Sequence, residues 1–252
     1  MQKFFISSDE FNNKTITGDS AYQLKNVLRA RVNDEFLVGV NCQSYLVKIS
    51  NIDAKEIKFE IIGEETGDFE LPVFVSLFQG YPKGDKFENI IKYGTQLGIS
   101  EINPVIMNRT IVKIDDSKKD NKLLRFGKIA KEAAEQSFRN VVPTIGKIEK
   151  LKNIDFSNYD IKIVCYEEDA KNNECSAFKK AIKNAKINDK IAIVVGPEGG
   201  ITNEEIDYLK SQGFITCALG PRILRTETVV FYCLSAISYE WELKWKKSVF
   251  KL

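Results

Sequence analysis

Two short segments late in the chain constrain its fold more than any others: Ile193–Ile201, IVVGPEGGI, and Cys217–Thr228, CALGPRILRTET. Each is an apolar run that breaks at glycine and proline and then carries charge into a helix-like stretch. Such a run reads as a buried strand, and strand–turn–helix units in series imply a mostly parallel sheet covered on both faces. Ligands of open α/β sheets sit at the carboxyl ends of the strands. The two segments are therefore expected at the ends of adjacent parallel strands. There Gly196, Gly199, Gly200 and Gly220 would let backbone approach a ligand that a Cβ would hold off. Neither G-x-G-x-x-G nor G-K-[ST] is present, which favours a cofactor without a pyrophosphate. A tight structural turn accounts for either segment alone; the pair favours a site.

The chain lacks histidine. That removes the commonest general base near neutral pH and the commonest nitrogen ligand for metals, so chemistry falls to Asp, Glu, Lys, Arg, Tyr, Cys or backbone, and no metal is expected. Cys42, Cys165, Cys175, Cys217 and Cys233 are odd in number and contain no C-x-x-C pair. Most of them read as small core fillers, and the set fits a reducing compartment rather than a disulfide framework. Lys+Arg 37 against Asp+Glu 35 leaves a net charge of +2, so a nucleic-acid partner requires positive charge gathered on one face. No segment reaches membrane-spanning length, and a soluble, cytoplasmic protein with no membrane partner is expected.

Residues 1–68 read as a small β-barrel domain and 69–252 as an α/β domain, divided within GEETGDFELP at 63–72. Strands are expected over Lys3–Ile6, Phe36–Val40, Ser44–Ser50 and Ile57–Ile62, with a helix over Ala21–Leu28 capped by Ser20 and striped by Leu24, Val27 and Leu28. In the second part, strands are expected over Val73–Phe78, Ile102–Val105, Ile161–Cys165, Ile191–Val195 and Phe214–Leu219. Helices are expected over Lys86–Leu97, Leu124–Phe138, Ser176–Ala185, Asn203–Ser211 and Thr226–Trp245. The last helix is apolar over much of its surface, with Val229, Val230, Leu234, Ile237 and Trp241 at helical spacing. Burial by the sheet and by a second subunit, as a homodimer, is one reading; an all-intrachain core is the other.

Arg222 and Arg225 are three residues apart beside the second glycine turn, and Glu227 is placed to pair with either. Glu198 either caps the following helix or holds the first loop shut. Thr202 and Glu205 have capping-box spacing. Lys83, Lys86, Arg109, Lys128, Lys131 and Arg139 form a second basic set, a phosphate-binding rim if folding gathers them on one side.

These segments resemble the RsmE family of 16S ribosomal RNA uridine N3-methyltransferases, in the SPOUT class of knotted methyltransferases. The likeness runs from LKNVLRARVND at 24–34 through KGDKFENIIKYGTQLG at 83–98, NRTIV at 108–112 and EAAEQSFRNVVP at 132–143 to GPEGG at 196–200 and LGPRILRTET at 219–228. The chain departs at Tyr22 and Gln23, where the family often has histidines, and at Tyr93 and Gln96, where it usually has lysine and glutamate. The resemblance implies a PUA-like RNA-binding β-barrel followed by a SPOUT domain with a C-terminal trefoil knot. It implies S-adenosylmethionine held by Val195, Gly196, Pro197, Gly199, Gly200, Ile201, Leu219, Gly220, Ile223, Leu224, Arg225, Thr226 and Thr228. It also implies a homodimer, 16S ribosomal RNA in the small subunit as partner, and methylation near the decoding centre. Arg29, Arg31 and Arg222 join the second basic set as RNA-binding candidates, and Arg225, Glu227 and Glu198 are the catalytic candidates. The alternatives are a ribose 2′-O RNA methyltransferase and a non-catalytic small-subunit assembly factor.

Overall fold

The computed structural model describes residues 1–168 and 176–244. Cys175 and Trp245 therefore lie outside the described residues. The chain divides into two compact units: Met1–Glu70 with Ala134–Val141, and Leu71–Ala133 with Val142–Leu252. The return of Ala134–Val141 to the first unit differs from the linear division expected at 68/69.

In the first unit, β1 (Lys3–Phe5), α1 (Ser8–Asn12), β2 (Thr15–Ile16) and α2 (Gly18–Tyr22) precede β3 (Glu35–Val40), β4 (Gln43–Ile52) and β5 (Ile57–Glu65). The sheet order is β1-β3-β4-β5-β2, with β1 and β3 parallel and the other pairs antiparallel. Register shifts at Leu46/Val47 and Ile49/Asn51 bend β4 against β5. The result is a curled half-barrel whose edge strands, β1 and β2, do not pair with each other. Phe4, Phe36, Val38, Val47, Ile49 and Phe59 fill its inner face, each worth about 1.5–3 kcal/mol of transfer free energy.

Two local expectations fail in this unit. The helix begins at Gly18 rather than near Ser20, and after Tyr22 it widens to a π-turn over Gln23–Val27. Leu24 alone of the expected stripe is buried; Val27 is 64% and Leu28 38% exposed. Widening to i→i+5 hydrogen bonds rotates the following side chains off the face that a 3.6-residue period predicts.

The second unit is built on β6 (Phe74–Gly80), α3 (Lys86–Gln96), β7 (Glu101–Ile106), α4 (Lys119–Gln136), β8 (Thr144–Ile145), β9 (Glu149–Lys150), β10 (Ile161–Cys165), α5 (Ala177–Asn184), β11 (Lys190–Val195), α6 (Asn203–Ser211), β12 (Ile215–Cys217) and α7 (Thr226–Ser238). The end of α4 lies in the first unit. All the pairs are parallel, in the order β12-β10-β11-β6-β7-β8, with β9 on β7. Side chains alternate between faces, as a strand requires. Ile191, Ile193 and Val195 meet Phe87, Ile90 and Ile91 of α3 and Val230, Leu234 and Ile237 of α7. Ala192 and Val194 meet Phe156 and, from α6, Ile206 and Leu209. That two-sided cover is why the strands read as continuous apolar runs. The last helix stops as an α-helix at Ser238 and continues as a π-turn over Tyr239–Leu243.

Candidate methyl-donor site

β11 and β12 are not neighbours, because β10 lies between them. The expectation of adjacent strands is corrected on this point. The loops that follow nonetheless meet. Thr226, first residue of α7, donates from its hydroxyl to the carbonyl of Gly196 at 2.7 Å.

The same junction receives a side chain from β6. Gln79 is fully buried, and its Nε2 donates to Thr226 Oγ1 at 2.7 Å, to the carbonyl of Gly80 at 2.8 Å and to the carbonyl of Gly196 at 3.2 Å. Gly80 must be glycine for packing: a Cβ there would lie 2.4 Å from Pro197 Cδ and 2.5 Å from Pro197 N. β6 therefore carries the first loop directly on its carboxyl end.

Charged side chains fix the outside of that loop. Glu198 Oε1 accepts from Lys86 Nζ at 2.7 Å and from the backbone N–H of Lys83 at 3.0 Å. Partial burial alone would raise the Glu198 carboxyl, but these bonds prevail and hold it below its ordinary value. The bond to Glu198 raises Lys86, Glu227 adds to that, and Arg225 opposes it. Lys86, Glu198, Arg225 and Glu227 thus share one electrostatic neighbourhood. Arg109 Nη1 donates to the carbonyl of Gly199 at 3.0 Å.

Thr202 and Glu205 make the expected capping box at the start of α6. Glu205 is buried, its Oε2 accepting from Thr202 N at 3.0 Å and its Oε1 from Asn108 N at 2.7 Å. Its role is architectural, and it seats the 107–110 turn that presents Arg109.

The second loop is open. Gly220 has φ +111°, a conformation that suits glycine, while nothing lies within 4 Å of where a Cβ would sit. Among the described residues, the backbone N–H groups of Leu219, Gly220, Ile223 and Leu224 donate no hydrogen bond. Two buried acceptors beside the loop junction also lack a donor, Gln79 Oε1 and Glu227 Oε2. Leu224 is half-buried, Arg222, Arg225 and Thr228 are exposed, and Ile223 is 85% exposed. Val195, Pro197 and Ile201 are buried beneath the first loop.

The basic residues divide. Lys83, Lys86 and Arg109 gather around the first loop through the contacts above. Lys128 is exposed and Lys131 half-buried on α4. Arg29, at φ +54°, and Arg31 are exposed on the first unit. Arg139 is not on a rim. It is 3% exposed, and its Nη2 is ion-paired with Glu70, whose Oε1 also accepts from Asn140 N at 2.9 Å. A buried guanidinium needs a fixed carboxylate, and this one is spent on closing the first unit. Gln79 is not among the candidates that the sequence offers; its one signal is a long polar side chain next to the last residue of a strand that is otherwise apolar apart from Ser76 and the terminal Gly80.

A family model described as an RNA methyltransferase domain matches residues 69–238. The chain is 39% identical over 254 residues to the ribosomal RNA small subunit methyltransferase E of Bacillus subtilis, covering 96% of this chain and 98% of that one. A Neisseria gonorrhoeae ribosomal RNA small subunit methyltransferase E bound to S-adenosyl methionine superposes with a TM-score of 0.79 at 27% identity, over 96% of this chain and 98% of that one. A Legionella pneumophila methyltransferase in complex with the same cofactor gives 0.77 at 25% identity, over 89% and 90% of the two chains.

Proposed function

Because this chain belongs to the RNA methyltransferase family, among the ribosomal RNA small subunit methyltransferase E proteins, we propose that it methylates N3 of a uridine in 16S ribosomal RNA, near the decoding centre, using S-adenosylmethionine. The observation that carries this to particular residues is the Thr226–Gly196 junction, which brings both glycine loops to one place.

The residues suit that donor. Its ammonium, ribose hydroxyls and adenine amino group need acceptors, and its ring nitrogens and carboxylate need donors. The N–H groups of Leu219, Gly220, Ile223 and Leu224 supply donors. The loops 195–201 and 219–228 would hold the donor, which supplies a methyl group activated by a positively charged sulfur. A pyrophosphate-binding motif is not needed.

The chain's own side chains have separable tasks. Arg225, permanently charged and exposed, stabilises negative charge developing on the uracil oxygens. Glu227 receives the N3 proton. This choice rests on the contrast with Glu198, which already accepts from Lys83 and Lys86, whereas Glu227 Oε2 has no donor. Glu198 is a positioning residue. Lys83, Lys86, Arg109, Lys128, Lys131 and Arg222, with Arg29 and Arg31 on the half-barrel, are the candidates for phosphate contacts.

In this reading the PUA-like half-barrel binds RNA and the SPOUT domain is knotted through its two glycine loops. The protein is a cytoplasmic homodimer. Exposed aromatic side chains on α3 and α7, Tyr93 (43%) and Tyr232 (44%), favour a partner there. No helix of the described residues is long and apolar enough to cross a membrane.

The test is incubation with methyl-labelled S-adenosylmethionine and undermodified small subunits, followed by nucleoside mass spectrometry. Label on a uracil base supports the proposal. Label on a ribose indicates 2′-O transfer, and RNA binding without label indicates an assembly factor; either result overturns it.

A further inference from the structure

We infer that Gln79 is a positioning residue that locks the two methyl-donor loops into register with the sheet, an inference resting on the methyltransferase reading above. The amide lies at the end of β6, beside β11 in the sheet. One Nε2 proton serves the carbonyl of Gly80, in its own strand. The other is directed to Thr226 Oγ1, with Gly196 O within reach at 3.2 Å. Thr226 in turn donates a hydrogen bond from its hydroxyl to Gly196 O at 2.7 Å. The result is a directed relay, Gln79 to Thr226 to Gly196, joining β6, the start of α7 and the first loop.

The orientation of the amide follows from its acceptors. Gly80 O and Gly196 O cannot donate, so the nitrogen must face them, which leaves Gln79 Oε1 buried without a donor. A buried carbonyl left without a donor is destabilising. Tolerating that cost makes sense where the gain is the geometry of a site, since local rules are broken mainly at functional positions. An apolar side chain would pack against the same strand without the orphan, but would leave the two loops tied only through Thr226.

The test is calorimetric titration with S-adenosylhomocysteine of the full chain, its Gln79→Met variant and its Thr226→Val variant. Each single variant is expected to weaken binding by about tenfold, equivalent to about 1.4 kcal/mol. The double variant is expected to lose less than the product of the two, because both act on one relay. Affinity for small-subunit RNA, measured by filter binding, stays within about twofold, since that contact is made by other residues. Thr226→Val probes the relay from its far end should Gln79→Met fold poorly. Unchanged affinity in folded single variants, or strictly multiplicative losses, overturns the relay while leaving the methyltransferase reading intact. Wild-type protein that fails to bind S-adenosylhomocysteine overturns both.

Discussion

Lys86 Nζ lies 2.7 Å from Glu198 Oε1, so the first turn of α3 is joined to the glycine loop after β11. Both side chains are partly exposed, 33% and 27%, and screening limits the pair to below about 1 kcal/mol. Glu198→Gln is therefore expected to lower stability slightly and cofactor affinity by about threefold to fivefold. The pH dependence has a definite shape. Glu198 is held below its ordinary 4.5, so its contribution is present above that value and is lost as pH falls through the lower folded one. Lys86 is held above its ordinary 10.5, so its contribution is present below that value and is lost as pH rises through the higher folded one. Thermal midpoints of wild type and variant, compared across pH, should differ by a constant in the interval between and converge at both ends.

Glu227→Gln separates proton removal from binding. Turnover on small subunits should fall on the order of 10²-fold or more. S-adenosylhomocysteine affinity should hold within about threefold, since the amide can still occupy the site. The residual rate should rise with pH more steeply than the wild-type rate, because hydroxide then has to remove the N3 proton. Single-turnover methylation across pH is the measurement.

Gly80 and Gly220 respond differently to alanine. At Gly80 the new methyl meets backbone as well as side chain of Pro197, and the loop must move. Cofactor affinity should fall by about tenfold or more, within the usual range for overpacking. At Gly220 the methyl meets nothing, and only the positive φ opposes it, about 1–3 kcal/mol of strain. Calorimetric titration of both variants should rank Gly80→Ala as the weaker binder.

Lys3 links the strands of the half-barrel to the returning segment. It is buried, with Nζ donating to Ser44 Oγ at 2.6 Å, Phe138 O at 3.1 Å and Asn140 Oδ1 at 3.1 Å. Burial pushes its ammonium down to about 8 from an ordinary 10.5. The unfolded chain binds more protons between those values, so this group makes stability rise with pH across that interval. Urea midpoints measured over the same interval should show the rise in wild type and lose it in Lys3→Met.

Much of this was legible in the chain, and what was not has identifiable causes. Period-two alternation and apolar runs placed the strands, since a sheet buried on both faces leaves continuous apolar stretches such as Ile191–Val195. Thr202 and Glu205 announced the start of α6 by local spacing alone. The return of Ala134–Val141 left no local trace, because it depends on Arg139 meeting Glu70, 69 residues away. A buried arginine and an RNA-facing one look the same in sequence. The wrong adjacency of β11 and β12 has a similar origin: β10 inserts between them, and strand order is not written in any one strand. Gln79 was not legible because its partners Gly196 and Thr226 lie 117 and 147 residues away.

On the proposed function, the two glycine loops together enclose one methyl-donor molecule. Amide hydrogen exchange with saturating S-adenosylhomocysteine tests it most directly. Slowed exchange is expected in both 196–201 and 218–225, including the N–H groups of Leu219, Gly220, Ile223 and Leu224, which donate no hydrogen bond among the described residues. Protection of one loop alone, or of neither, would contradict it.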